Sequence, residues 1–313
     1  MKRVELTVEI GSSNIVIALK GNGIVLREPS LIAMDKNSNE IIATGTKAKK
    51  MIGKITSSVM IFSPVENGVI KEEKYATILL DEMLKKVLPS RLFTKIDVNY
   101  IVRTGLTEAE ILTIKNVLYA CGASSVNLKN STIQGLLGAG VNISNPTAYL
   151  SVHIGGGSTN VSVISMNRII DGISISFGGI EMDEAIRDYM VEVADFEMGL
   201  TLCEKVKQEC GSLFLQDTTS MEVNGIDYNT KMPKTIMINA QDVRNAIVSF
   251  FDLLVSSIES VLNECSPDIV ADLTPNGIYV TGGMANIVGL ENFLCKKLNL
   301  PVHIPDSPEN CVF

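Results

Sequence analysis

Three glycine turns hold the residues best suited to chemistry in this chain: Gly11, the run Gly155-Gly156-Gly157, and the pair Gly282-Gly283. Each follows an apolar run that reads as a strand, so each sets backbone amides just beyond a strand end. Glycine lets those amides approach an anion with no β-carbon in the way, and amide-lined concavities of this kind hold phosphate. The middle turn lies in "AYLSVHIGGGSTNVSVIS" (148–165), where the Ser158-Thr159 pair completes it. The residue before that turn is His153. Phosphate turns that also hold a divalent cation normally place a carboxylate there, because magnesium prefers hard oxygen ligands. An imidazole has two alternatives: as a cation it faces the phosphate itself, and as a neutral ring it hydrogen-bonds at a strand end.

The elements that position these turns repeat. Aligning "EIGSSNIVIAL" (9–19) with "HIGGGSTNVSV" (153–163) puts Gly11 on Gly155, Asn14 on Ser158 and Leu19 on Val163, an offset of 155 − 11 = 144 residues. Each half therefore opens with strand, glycine turn, strand, as in a duplicated domain, and two such hairpins are expected to clamp a polyphosphate from both sides of a cleft. After "VELTVEI" and "NIVIALK", the stretch "GIVLREPSLIAMD" reads as a further strand. "EEKYATILLDEMLKKVL" places Tyr75, Leu79, Met83, Leu84 and Val87 on one helical face, and "EAEILTIKNVLYACGA" is a second helix after the strand "DVNYIVRTG". In the second half "GIEMDEAIRDYMVEVADF" is helical, "SMEVNGIDYNTKMPKTIMIN" is a strand pair, and Asn239 caps a long helix bearing Ile247, Phe250, Phe251, Leu254, Ile258, Val261 and Leu262 on one face. This alternation predicts mixed α/β layers.

Composition bounds the function. With 313 residues, 46% of them hydrophobic, the chain exceeds the usual size of one domain and predicts two lobes. A formal net charge of −8, with no Lys/Arg cluster interleaved with aromatics, argues against a nucleic-acid partner. The six cysteines (121, 203, 210, 265, 295 and 311) show neither a Cys-x-x-Cys spacing nor a paired histidine, so they read as reduced cytosolic thiols, not as a zinc site or disulfide framework. "MKRVELTVEIG" alternates like a strand, unlike a signal peptide. No apolar run approaches the roughly 20 residues of a spanning helix.

"GIVLREPSLIAMD", "ATGTKAKKMIGK", "NGVI", "IGGGSTNVSVIS", "GGIEMDEAI", "VNGID" and "VTGGMANIVGLENFL" together resemble segments of the bacterial actin MreB family, in the order and at the spacing of that family and over essentially the whole chain. The family lies within the actin, sugar kinase and heat-shock chaperone ATPase superfamily. The resemblance implies an α/β, actin-like two-lobed fold with duplicated core subdomains and two smaller inserted subdomains. The first core subdomain takes residues 1–32 and 74–145, with 33–73 inserted. The second takes 146–181 and 243–313, with 182–242 inserted.

By position, Ser12, Ser13 and Asn14 match the first phosphate loop, and Gly156, Gly157, Ser158 and Thr159 the second. Glu204 and Lys207 match the pair that holds ribose and adenine; on spacing alone they would be an ordinary solvated helix pair. Gly282, Gly283, Met284, Ala285, Asn286 and Ile287 match the adenosine turn. Leu92 and Phe93, flanked by Arg91 and Lys95, match a loop that in some members inserts two apolar side chains into the membrane, while a loop folded onto its own domain fits the same residues.

The departures from the family concern catalysis. Glu9 and His153 stand where the family has an aspartate in each phosphate hairpin, Asn130 and Ser131 occupy the place of its catalytic glutamate, and Met284 replaces a third adenosine glycine. Phosphoryl transfer needs a cation to neutralise developing charge and a group to position water. The expected protein is thus an MreB-like cytoskeletal or cell-shape actin that forms or joins filaments, binds ATP or ADP, and hydrolyses it poorly or not at all; the departures put Mg²⁺ in doubt. No metal site is assigned. A non-polymerising actin-fold adaptor and a slow ATPase are the alternatives; a sugar or acid kinase would need an acceptor residue that the sequence does not offer. The implied location is the cytoplasm, with peripheral contact on the inner face of the membrane and with wall-synthesis proteins.

Overall fold

The computed structural model describes residues 2–88, 90 and 94–313. The chain divides into two compact units: residues 1–134 with 156–158 and 312–313, and residues 135–155 with 159–311.

The first unit is built on a five-stranded sheet. Strands β1 (Lys2–Ile10), β2 (Asn14–Leu19) and β3 (Gly23–Pro29) form an antiparallel meander. The small strands β4 (Ile32–Asp35) and β5 (Ile41–Thr44), the one-turn helix α1 (Thr46–Lys49) and β6 (Val59–Phe62) follow, with β5-β4-β6 forming a separate three-stranded sheet. The predicted single strand over 23–35 is therefore two strands in two sheets. Pro29 has no amide to continue the ladder, and the Ser30 amide turns back to Ser13 O at 2.9 Å. After the short pair β7 (Val65–Glu66) and β8 (Val69–Ile70) come α2 (Glu73–Val87), β9 (Thr94–Val102), α3 (Glu108–Ala120) and β10 (Ser125–Asn130). The main sheet runs β10-β9-β1-β2-β3, with β10, β9 and β1 parallel. Leu79, Leu80 and Met83 of α2 are fully buried with Leu6, Ile15 and Ile17 in one core. Helix α4 (Ser131–Gly138) then leads on along the chain.

The second unit repeats the plan. Strands β11 (Tyr149–Ile154), β12 (Thr159–Ser165) and β13 (Arg168–Ile175) form the same meander. Next come α5 (Gly179–Ala194), β14 (Phe196–Glu197), α6 (Leu200–Cys210), β15 (Ser220–Asp227) and β16 (Pro233–Asn239), where β14-β15-β16 is a small antiparallel sheet. Helices α7 (Ala240–Glu264) and α8 (Pro267–Asn276), strand β17 (Ile278–Thr281), helix α9 (Leu290–Leu298) and strand β18 (Val302–His303) complete the unit. Its main sheet runs β13-β12-β11-β17-β18, so the parallel strands β17 and β18 stand where β9 and β10 stand in the first unit. The connections at 11–14 and 155–158 join the register pairs Ile10↔Ile15 and Ile154↔Thr159. They are the same hairpin, 144 residues apart.

Asn239 caps α7 as its sequence suggests, its side chain accepting from the amides of Gln241 (2.9 Å) and Asp242 (3.0 Å). In length and apolarity α7 reaches what a membrane span needs, contrary to the reading by apolar runs, which its interspersed polar residues interrupt. Its stripe Ile247, Phe251, Leu254, Ile258 and Val261 is nevertheless buried in the core of the second unit. Among the described residues no two cysteines are joined as a disulfide.

Candidate functional site

In the first unit the site begins at the carboxyl ends of the parallel strands β1, β9 and β10, where open α/β sheets bind ligands. The Gly11–Asn14 turn is closed by the Gly11 amide donating to Asn14 O at 2.9 Å. Ser12 Oγ accepts from the Gly68 amide at 3.1 Å, tying the turn to the β7–β8 connection. Gly156, Gly157 and Ser158 count within this unit by their contacts. A β-carbon at Gly157 would lie 2.6 Å from Ser12 Oγ and one at Gly156 2.6 Å from Ser13 Cβ, so backbone packs here where no side chain fits.

Glu9 precedes this turn, partly buried. Burial pushes its carboxyl up to about 7, against the opposing charge of Arg27. The buried Tyr100 hydroxyl is pushed up as well, first by burial and then by the Glu9 charge. At the end of β10, Asn130 acts as a helix cap. Its Oδ1 accepts from the Thr132 amide (2.9 Å) and hydroxyl (2.6 Å), and its Nδ2 donates to Thr104 Oγ1 at 3.2 Å. Ser131 is buried, and its hydroxyl finds no partner among the described residues. Of these two residues, Asn130 is thus committed to the fold and Ser131 is buried.

In the second unit, His153 pairs in register with Asn160 across the hairpin and its Nδ1 lies 3.1 Å from Thr281 Oγ1 at the end of β17. The ring is buried, which pushes its pKa down to about 4. Without a ligand the ring is therefore the neutral, hydrogen-bonded one of the two alternatives; the imidazolium expectation concerns the nucleotide-bound state. The Gly155 carbonyl accepts from the Gly179 amide at 3.1 Å, and Thr159 Oγ1 donates to Phe177 O at 2.9 Å, fixing the base of the turn. At Gly282 φ is +91°, and a β-carbon would stand 2.3 Å from Ile154 O, so only glycine fits. Gly283–Asn286 form a 3-10 turn with Ala285 buried; Ile287 follows, and Asn286 Nδ2 donates to Gly283 O at 3.2 Å. The Met284 thioether packs on Gly179, 3.0 Å from where a β-carbon would be.

Lys207 is no solvated residue. It is 3% exposed, its Nζ lies 2.7 Å from Asp183 Oδ1, and it donates to the Gly179 carbonyl. Glu204 is half-buried on the same helix. Sequence reasoning missed Asp183, and also Arg103, whose side chain packs against Gly68. The signal for Asp183 was present: it shares the buried stripe 182, 183, 186 and 190 of α5, as Lys207 shares 203, 206, 207 and 210 of α6. Leu92 and Phe93 lie outside the described residues.

The residues fit a nucleotide better than a metal. The close-packed glycine turns offer backbone amides to phosphate. Each unit by itself offers a poor ligand for a hydrated divalent cation: burial raises the Glu9 carboxyl to about 7 in the first and lowers the His153 ring to about 4 in the second. Among the described residues no three His, Cys, Asp or Glu groups cluster.

A sequence model of the MreB/Mbl protein family matches residues 3–313. The chain belongs to the MreB/Mbl family. It is 31% identical over 310 residues to the cell shape-determining protein Mbl of Bacillus subtilis, covering 98% of this chain and 93% of the relative. MreB5 of Spiroplasma citri, solved with AMPPNP bound and also with ADP, is 30% identical; the AMPPNP form matches at TM-score 0.94 over 100% of this chain and 94% of that one. A MamK double helical filament matches at TM-score 0.82 and 18% identity over 99% of this chain and 97% of that one, which speaks for the actin-like fold alone. The MreB/Mbl fold accounts for the duplicated hairpins and for both small sheets.

Proposed function

We propose that this chain is a cell-shape cytoskeletal actin that binds ATP or ADP through its glycine turns, associates with copies of itself into filaments, and hydrolyses nucleotide poorly or not at all. The observation that carries the last part is Asn130: its side chain is spent on capping α4 and bonding Thr104, and being an amide it brings no carboxylate to position a water. Nucleotide binding is supported by the AMPPNP-bound relative. Participation of Mg²⁺ is put in doubt by the raised Glu9 and the neutral His153.

The four-subdomain partition, with insertions at 33–73 and 182–242, is supported by the small sheets β5-β4-β6 and β14-β15-β16 within those ranges. Glu204, Lys207 and Met284 to Ile287 belong to the nucleoside side of the reading, although the Lys207 ammonium is engaged by Asp183. A cytoplasmic location is consistent with the cell-shape role of relatives such as Mbl; peripheral membrane contact through Leu92 and Phe93 and cell-wall synthesis partners belong to the same proposal.

Two measurements on one preparation test this. Sedimentation with AMPPNP should pellet the protein, and phosphate release from ATP should stay at the level of a Glu9→Ala control. Protein that stays in the supernatant under all nucleotide conditions favours the adaptor alternative. Release well above the control overturns the impaired-hydrolysis reading.

A further inference from the structure

Beyond the carboxyl end of β9 stands a cation that the nucleotide reading does not use. Arg103 directly follows Val102, between the ends of β1 and β10 in the sheet order. Its guanidinium is held from one side: one terminal nitrogen donates to Glu110 Oε1 at 2.8 Å and the other to Thr104 O at 3.2 Å. Glu110 is itself fixed, accepting from the Thr107 amide (2.7 Å) and hydroxyl (3.0 Å) in the capping box of α3. Arg103 Nε, in contrast, is buried with no partner among the described residues. Native proteins rarely leave such a donor unmatched, and each instance calls for a reason.

The surroundings supply one. Gly68 lies between Arg103 and the first glycine turn. Its amide donates to Ser12 Oγ at 3.1 Å, and a β-carbon on it would be 3.3 Å from Arg103 Cδ and 3.1 Å from Ser158 Oγ. The guanidinium stem and both serines of the amide cradle therefore converge on Gly68. On its other side Thr104 Oγ1 accepts from Asn130 Nδ2, so Arg103 adjoins the position from which hydrolysis at the outermost phosphate would be managed. A guanidinium of fixed orientation with one N–H still unmatched is suited to phosphate oxygens, which a small shift of its covering would admit.

We propose that Arg103 binds the outermost phosphate of a nucleoside triphosphate, supplying from the protein the positive charge that a divalent cation would otherwise bring. The inference rests on the nucleotide-binding reading above. It predicts triphosphate binding that survives removal of magnesium, and a preference for ATP over ADP that depends on one side chain.

Calorimetric titration of the full chain with ATP and with ADP, in magnesium and in EDTA, tests it. Wild type should bind ATP in EDTA within about threefold of its affinity in magnesium. Arg103→Ala should weaken ATP binding in EDTA by about 10- to 100-fold, as expected for loss of a charged hydrogen bond, and ADP binding by less than about threefold. Arg103→Lys keeps the charge but not the fork, and should fall between the two. Should Arg103→Ala fail to fold, as judged by its thermal midpoint without nucleotide, the ATP-to-ADP ratio of Arg103→Lys decides. Wild type that binds neither nucleotide overturns both this inference and the reading beneath it. Wild type that binds ATP, with an Arg103 variant of unchanged ATP affinity and ATP-to-ADP ratio, overturns the role of Arg103 alone and reduces its pair with Glu110 to a structural one.

Discussion

Lys207 of α6 and Asp183 of α5 meet at 2.7 Å, both buried, and the same ammonium donates to the Gly179 carbonyl where α5 begins. Losing either partner leaves the other charge without water or counter-charge. Asp183→Ala and Lys207→Ala are each expected to destabilise the second unit by about 3–5 kcal/mol in urea unfolding, whereas the apolar double variant Asp183→Leu, Lys207→Met loses much less. Equal losses in the single and double variants would contradict this account of the pair.

Gly282 joins a positive φ of +91° to a backbone approach of 2.3 Å for any added β-carbon. Gly282→Ala therefore lowers the stability of the second unit by about 3 kcal/mol or more, through strain and displacement of the β11 end together. Gly283→Ala, where a β-carbon meets nothing within 4 Å, is its control and should cost less than about 1 kcal/mol. The two thermal midpoints separate the cases.

The Glu9 carboxyl is raised from 4.5 to about 7 by burial, so the folded first unit prefers its protonated form. That contribution is full below pH 4.5 and is lost as pH rises to about 7, with a span on the order of 2–3 kcal/mol. Glu9→Gln should flatten this part of the stability profile. An unchanged slope between pH 5 and 7.5 would show that Glu9 titrates normally.

His153 has the opposite sign. Its pKa is lowered from 6.5 to about 4, so the stability it confers is present above pH 6.5 and is lost as pH falls towards 4, again on the order of 2–3 kcal/mol. Chemical-shift titration should find its ring neutral down to about pH 5. His153→Asn should remove the acid-side loss from the second unit.

The duplicated hairpins were legible because an offset of 144 aligns glycine with glycine and apolar with apolar residues, and both hairpins close in the same register. The Asn239 cap and the α7 face were equally plain, since capping and helical periodicity are local. The ligand-free state of His153 was not legible, because it depends on burial and on a hydrogen-bond partner, Thr281, 128 positions away. Lys207 drew the wrong default for a related reason: a lysine on a helix looks solvated until its partner helix is known. Arg103 gave no local signal, since its approach to Gly68, which in turn bonds Ser12, arises from the β7–β8 connection 35 positions earlier in the chain.

The two hydrophobic cores share no residue: Leu6, Ile17 and Leu79 belong to one, Val152, Ile186 and Phe251 to the other. Each unit therefore carries the means of its own cooperative melting, and a heat-capacity trace should resolve two transitions instead of one. Glu9 lies in the first unit and His153 in the second. Acid therefore favours the first and weakens the second, while raising the pH from about 4 to about 7 does the reverse. The balance between the halves should shift within that mildly acidic window and stay constant above it, giving a duplicated protein whose weaker half is chosen by the proton.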